Sequence, residues 1–236
     1  MSPPTESAVD AVPMPHPTRR NIVWLSLQYL MKLVFMLWLR YRARGLQNVP
    51  KSGGGLVLVN HQSFLDPMLV GLPLQRPVSF LGRDSLFKVP VIGWVLRNTY
   101  VMPINRDSAS TASIRHALQR MNYGFLVGLF PEGTRSPDGT VGDFKPGFIS
   151  MIRRAKVPVY PVGIAGAHEA MPRDGLRLWP QRVRIVFGEP LCADEIARLS
   201  AKGHEDELVA FARAGVETCQ REAQEWRDGK SSGDGE

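Results

Sequence analysis

Apolar and polar positions divide the chain into regions of different character. From Ile22 to Leu39 apolar residues are almost continuous, interrupted by Ser26, Gln28 and Lys32. At 1.5 Å per residue these eighteen positions reach about 27 Å as a helix, just short of a comfortable bilayer span. A lysine at bilayer centre would cost about 2.5–3.5 kcal/mol, and Lys32 sits mid-segment. Projected at 100° per residue, Asn21, Gln28 and Lys32 form one narrow stripe, with Arg19, Arg20, Arg40, Arg42 and Arg44 flanking the segment. The pattern predicts a helix lying in, or dipping into, a membrane interface; a buried core helix is the competing reading. Arg19-Arg20 is not followed by a small-residue cleavage site, which argues against an export signal.

After Gly45 short apolar runs alternate with helical stretches. Strands are expected at Gly55–Val59, Val78–Leu81, Thr99–Ile104, Phe125–Phe130, Val157–Val162 and Val183–Phe187. Several are continuous apolar runs of the kind buried on both faces. Helices are expected at Pro67–Leu74, Val91–Arg97, Ala109–Met121, Phe144–Ala155 and Glu205–Arg227. This alternation predicts an α/β sheet covered by helices on both sides. Residues 1–18 carry five prolines and few large apolar groups, and residues 228–236 are polar and rich in Gly and Ser; both are expected to be flexible. The organisation expected is thus an arm (1–18), a membrane-associating helix (19–44), one α/β domain (45–227) and a tail (228–236).

Composition narrows the classes without choosing one. Of 236 residues, 44% are hydrophobic and 22% charged, which excludes a largely disordered chain or a multispan membrane protein. The formal charge of +7 suits an anionic membrane surface, a phosphorylated ligand or nucleic acid. Cys192 and Cys219 form no CxxC pair, so a disulfide framework or zinc cluster is not expected. Basic residues are not interleaved with aromatics in a recognition pattern, leaving nucleic-acid binding without support. Neither a Gly-x-Ser-x-Gly elbow nor a nucleotide-binding glycine loop occurs.

Ligands of open α/β sheets bind beyond the carboxyl ends of the strands. There the first strand releases Asn60-His61-Gln62-Ser63-Phe64-Leu65-Asp66-Pro67, the third Asn105-Arg106-Asp107, and the fourth Pro131-Glu132-Gly133-Thr134-Arg135-Ser136. A histidine acts as a base near neutral pH, best when a carboxylate fixes its tautomer. With His61 in the turn and Asp66 at the next helix start, the two side chains can meet; capping that helix is the alternative role for Asp66. Gly133 permits close backbone approach, and Arg135 has the fork that matches phosphate oxygens. Glu132 can accept from a ligand hydroxyl or hold Arg135. Lys145, just before a helix start, and Arg106 add cations, so an anion pocket is expected.

The segments Asn60-His61 to Asp66, Arg106, Phe130–Ser136 and Val157-Pro158-Val159-Tyr160-Pro161 resemble, in order and spacing, the four sequence blocks of the glycerolipid acyltransferases. The type most resembled is 1-acyl-sn-glycerol-3-phosphate acyltransferase, over about residues 20–190. Lys145 and Gly147 match that family's Lys-x-Gly element. The second block departs from the usual pattern, reading Met102-Pro103-Ile104-Asn105-Arg106, with Asn98 where a glycine is expected. The resemblance implies a mixed, largely parallel sheet covered by helices and an N-terminal helical membrane anchor. It implies His61 as general base, Asp66 as its orienting partner, and Arg106, Glu132, Gly133, Thr134, Arg135 and Lys145 as acceptor-binding residues. The expected reaction moves a fatty acyl group from acyl-CoA or acyl carrier protein to the 2-hydroxyl of 1-acylglycerol 3-phosphate. A lyso-ornithine lipid, another lysophospholipid or glycerol 3-phosphate is the alternative acceptor. No bound cofactor or metal is expected, and the place of work is the cytoplasmic face of the inner membrane.

Overall fold

The computed structural model describes residues 16–104, 111–173, 175 and 177–230. Seven strands form one sheet: β1 (Arg42–Arg44), β2 (Gly55–Val59), β3 (Val78–Arg83), β4 (Met102–Ile104), β5 (Leu126–Leu129), β6 (Val159–Ala165) and β7 (Arg184–Phe187). Their order is β1-β7-β6-β2-β5-β3-β4, and every neighbouring pair is parallel except β6 with β7. The mixed, mostly parallel α/β architecture is therefore the one expected.

The helices are α1 (Ile22–Trp38), α2 (Asp66–Gly71), α3 (Asp84–Phe87), α4 (Pro90–Asn98), α5 (Thr111–Tyr123), α6 (Ile149–Ala155), α7 (Ala167–Ala170), α8 (Ala193–Leu199) and α9 (Glu205–Arg227). They cover both sides because alternate residues of the strands face opposite cores. In β2, Val57 and Val59 join the core that also holds Leu69, Val70 and Phe35, whereas Leu56 and Leu58 join Met121, Ile152, Leu208 and Val216. Burying each such side chain contributes about 1.5–3 kcal/mol, which is why β2 reads as an uninterrupted apolar run. Helix α9 presents Leu208, Ala212, Val216, Cys219 and Ala223 as one buried stripe, and its acidic first turn (Glu205, Asp206, Glu207) complements the helix dipole.

Several boundaries differ from the periodicity for identifiable reasons. The strand expected from Thr99 begins at Met102, because Thr99 still closes α4 through its amide to the Val95 carbonyl and Tyr100 takes a left-handed conformation. The helix expected from Phe144 starts as a 3-10 turn at Pro146–Phe148 before α6. Of the helix expected at Ala109–Met121, positions 109 and 110 lie outside the described residues, and α5 ends two residues later than expected, at Tyr123.

The N-terminal segment needs a larger correction. The helix stops at Trp38, and Arg42–Arg44, expected to extend the membrane-associating segment to residue 44, form edge strand β1 against β7. There Arg44 pairs with Glu222 at 3.1 Å. The polar stripe of Asn21, Gln28 and Lys32 is divided: Asn21 and Gln28 bond to the domain, whereas Lys32 stays exposed. Asn21 caps α1 by accepting from the Trp24 amide and donates to the Asn98 carbonyl, while Gln28 donates to the carbonyls of Leu72 and Leu74. Trp24 and Phe35 are buried beside it, and the apolar residues Ile22, Tyr29, Leu30, Leu33, Met36 and Leu37 are left exposed. At 100° per residue those six fall within an arc of about 120°. No helix among the described residues is long and apolar enough to cross a membrane.

Candidate active site

The carboxyl ends of β2 and β5, adjacent and parallel, place the first and third polar clusters side by side. Asn60 fixes the exit of β2: its side chain donates to the Ile164 carbonyl and accepts from the Ile164 amide, clamping it to β6. The following turn is tied to the β5 loop by the Ser136 amide, which donates to the His61 carbonyl at 2.7 Å. Gln62, buried, spans a third direction, donating to the Gly139 carbonyl and accepting from the Ala167 amide.

Within this frame His61 Nδ1 lies 2.8 Å from Asp66 Oδ2. The same oxygen accepts from the amides of Gln62 (2.6 Å) and Ser63 (2.7 Å). An oxygen that accepts from two amides and faces the ring nitrogen has no room for a proton of its own, so in the neutral imidazole Nδ1 carries the hydrogen and Nε2 the lone pair. Asp66 is the first residue of α2 and is fully buried, but its side chain does not cap that helix: Leu65 holds the cap position, and Asp66 accepts from His61 and from the amides of the preceding turn. Burial raises its pKa; the imidazole and the two amides oppose that rise. The His61 ring stacks on Phe130 (centroids 4.0 Å apart), which in turn stacks on Phe80 (5.3 Å). The imidazole is thus held on one edge and one face, while its side chain remains 17% exposed.

Glu132 serves the backbone of the site. Only 4% exposed, it accepts from the His61 amide at 2.8 Å and so holds the backbone that carries the imidazole. Burial raises the Glu132 pKa above its ordinary 4.5, against hydrogen bonds from the His61 and Gly142 amides. Because the folded chain then binds this proton more tightly than the unfolded one, the linked stability is fully present below about pH 4.5 and is lost as pH rises through the raised value. Glu132→Gln keeps an acceptor for the His61 amide. It is therefore expected to melt with a flatter decline as pH rises above about 4.5, as thermal unfolding at several pH values would show; an unchanged slope would assign the effect elsewhere.

The cations line the exposed side. Arg135 lies over the Phe64 ring, its Cζ 3.6 Å from the centroid, and donates to the Arg173 carbonyl at 2.8 Å. Arg173 returns a bond to the Arg135 carbonyl. Lys145 is anchored through its amide to the Pro131 carbonyl, and its side chain runs across Gly133. Gly133 has φ +70°, and a Cβ there would stand 3.2 Å from Lys145 Nζ, so glycine serves both the turn and the lysine's path. Thr134 stands exposed in the same turn. Arg106, with Asn105 and Asp107, lies outside the described residues. Sequence reasoning missed Phe64, Gln62 and Arg173 as parts of this frame; an aromatic residue in an otherwise polar loop was the one available signal for Phe64.

A histidine, fixed by a buried carboxylate, and two cations, Arg135 and Lys145, thus stand on adjoining loops at the carboxyl edge of a mostly parallel sheet. Residues 40–165, a little over half of the 236, match the acyltransferase family, and the chain belongs to that family. It is similar to a chloroplastic 1-acyl-sn-glycerol-3-phosphate acyltransferase of Brassica napus, 36% identical over 63% of this chain and 44% of that protein. It is also similar to the 1-acyl-sn-glycerol-3-phosphate acyltransferase of Bacillus subtilis, 26% identical over 71% of this chain and 80% of the relative. The chain spans less than half the length of the plant relatives it matches. Among solved structures, the 1-acyl-sn-glycerophosphate (LPA) acyltransferase PlsC from Thermotoga maritima superposes with a TM-score of 0.70 at 28% identity, over 86% of this chain and 78% of that one.

Proposed function

We propose that the protein moves a fatty acyl group from an acyl thioester to the 2-hydroxyl of a 1-acylglycerol 3-phosphate, forming phosphatidic acid. The observation that carries this reading is the His61–Asp66 pair, its Nδ1 engaged and Nε2 free to act, joined through the Ser136–His61 backbone bond to the loop that bears Arg135. The names of the Brassica, Bacillus and Thermotoga proteins support the same acceptor class.

Nε2 of His61 takes the hydroxyl proton as the oxygen attacks the thioester carbonyl, and Asp66 steadies the imidazolium. Collapse of the tetrahedral intermediate breaks the C–S bond, and the departing sulfur takes the proton from Nε2. General-base assistance of this kind supplies about 10²–10⁴-fold. Arg135 and Lys145 hold the acceptor phosphate and thereby place its hydroxyl; such positioning can lower a barrier by up to about 7–11 kcal/mol. The donor is acyl-CoA or acyl carrier protein, and Arg106 is a further candidate phosphate ligand. The apolar face of α1 rests on an anionic membrane, at the cytoplasmic surface of the cell membrane, where the acceptor resides.

Purified protein incubated with liposomes, each donor, and a panel of 1-acylglycerol 3-phosphate, a lyso-ornithine lipid, another lysophospholipid and glycerol 3-phosphate tests the assignment. Phosphatidic acid, identified by mass, is the expected product; transfer to a different acceptor alone would reject it. Arg135→Ala should raise KM for the phosphorylated acceptor about 10–100-fold with a smaller change in kcat. Phe64→Ala, which removes the platform beneath the guanidinium, should raise it about 2–5-fold, and Phe64→Tyr should restore it. Unchanged KM values in the alanine variants would move the phosphate site elsewhere.

A further inference from the structure

Helix α4 exposes a second apolar surface that the reaction does not use. Leu86, Val89, Val91, Ile92 and Trp94 are all exposed, Val91 at 73% and Trp94 at 53%. These residues belong to a tightly built pair of helices. Gly93 is buried, and a Cβ there would come within 2.2 Å of the Phe87 carbonyl oxygen, so only glycine lets α4 close on α3. Pro90 opens α4, and Arg97 donates back to the same Phe87 carbonyl. The inner side of the pair is thus fixed, which holds Val91, Ile92 and Trp94 outward.

Helix α4 also adjoins α1. Asn21 donates to the Asn98 carbonyl at 2.8 Å, and the Tyr100 hydroxyl donates to the Arg19 carbonyl at 2.6 Å. Two neighbouring elements therefore leave large apolar side chains uncovered. Their charges are mostly of one sign: residues 16–40 carry Arg19, Arg20, Lys32 and Arg40 and residues 85–104 carry Lys88 and Arg97, with no Asp or Glu in either stretch and Asp84 at the start of α3. Apolar and aromatic side chains among a clear excess of lysines and arginines complement the headgroup layer of an anionic bilayer. Such a surface would also set the site's position, since Gln28 of α1 binds the Leu72 and Leu74 carbonyls just after α2, the helix that begins with Asp66.

We propose that α4 is a second membrane-contacting element, which enters the interface of an anionic bilayer alongside α1 through Val91, Ile92 and Trp94. This builds on the membrane placement of α1 given above and is independent of the reaction catalysed.

The full chain offers a direct test. Val91→Cys in a Cys192→Ser background gives one accessible thiol, because Cys219 is buried and its thiol is pushed up to about 11. An environment-sensitive fluorophore at position 91 should shift to the blue on addition of phosphatidylcholine–phosphatidylglycerol vesicles and be quenched by brominated lipid. Val91→Asp combined with Trp94→Asp should weaken vesicle partitioning by about tenfold or more, with unchanged melting and unchanged transfer to detergent-dispersed acceptor. A label that stays in water while the protein is vesicle-bound would overturn the assignment, as would undiminished partitioning of the double variant or a parent protein that ignores vesicles. Label burial without any acyl transfer would leave α4 at the membrane and reject the reaction instead.

Discussion

His61→Ala should reduce acyl transfer by about 10²–10⁴-fold or more while leaving a folded protein. The imidazole is partly exposed and its edge contact is with Asp66 alone, so its removal costs one side-chain hydrogen bond and one stacking contact with Phe130. The amides of Gln62 and Ser63 keep their bonds to Asp66, so α2 should begin as before. The informative measurement is kcat/KM together with the melting temperature. Loss of turnover at near-native melting assigns the base; near-normal turnover would remove His61 from the chemistry.

Asp66→Asn separates charge from geometry at the same site. Asp66 Oδ2 serves His61 Nδ1 and two amides, whereas Oδ1 is buried without a hydrogen-bond partner. An asparagine can set its carbonyl oxygen where Oδ2 stands and its amide group where Oδ1 stands, so the three bonds and the tautomer survive. What disappears is the negative charge beside the imidazolium that forms as the proton moves. The loss should fall on kcat, by roughly 10²-fold or more, with binding of the phosphorylated acceptor little altered. Asp66→Ala should in addition strand two buried amides and cost about 1–3 kcal/mol of stability for each. Equal kcat in the asparagine variant and the parent would show that residue 66 acts only through its hydrogen bonds to His61 and the two amides.

The dyad and the cationic loop were legible because they are local. His61 and Asp66 are five residues apart in one turn, and Phe130–Ser136 and Lys145 follow a single strand, so spacing alone presents them as units. The burial of β2 on both faces was equally visible, since Gly55–Val59 contains no polar residue. Strand β1 was not visible. Arg42-Ala43-Arg44 has no apolar pattern, and it becomes a strand because β7 offers it an open edge and Glu222 offers Arg44 an ion pair.

Charge and polarity alone did not show the backbone partners of three further residues. Glu132 looks like a ligand-binding carboxylate in the sequence, yet the parallel pairing of β2 with β5 sets it behind His61 as a backbone acceptor. Asn21 and Gln28 look like the water-facing stripe of an amphipathic helix, yet the domain supplies carbonyls at Asn98, Leu72 and Leu74 that need donors. Their satisfaction turns the apolar side of α1 outward.

The amino-acid sequence by itself determined the alternation of strands and helices, the acid–base pair and the residue types around it, because each depends on neighbours within a few positions. Only the tertiary structure decided which side of α1 is exposed, that Phe64 lies beneath Arg135, and that Glu132 serves the backbone of His61. Those outcomes depend on groups separated by tens of residues, whose hydrogen-bonding demands meet only when the sheet is assembled.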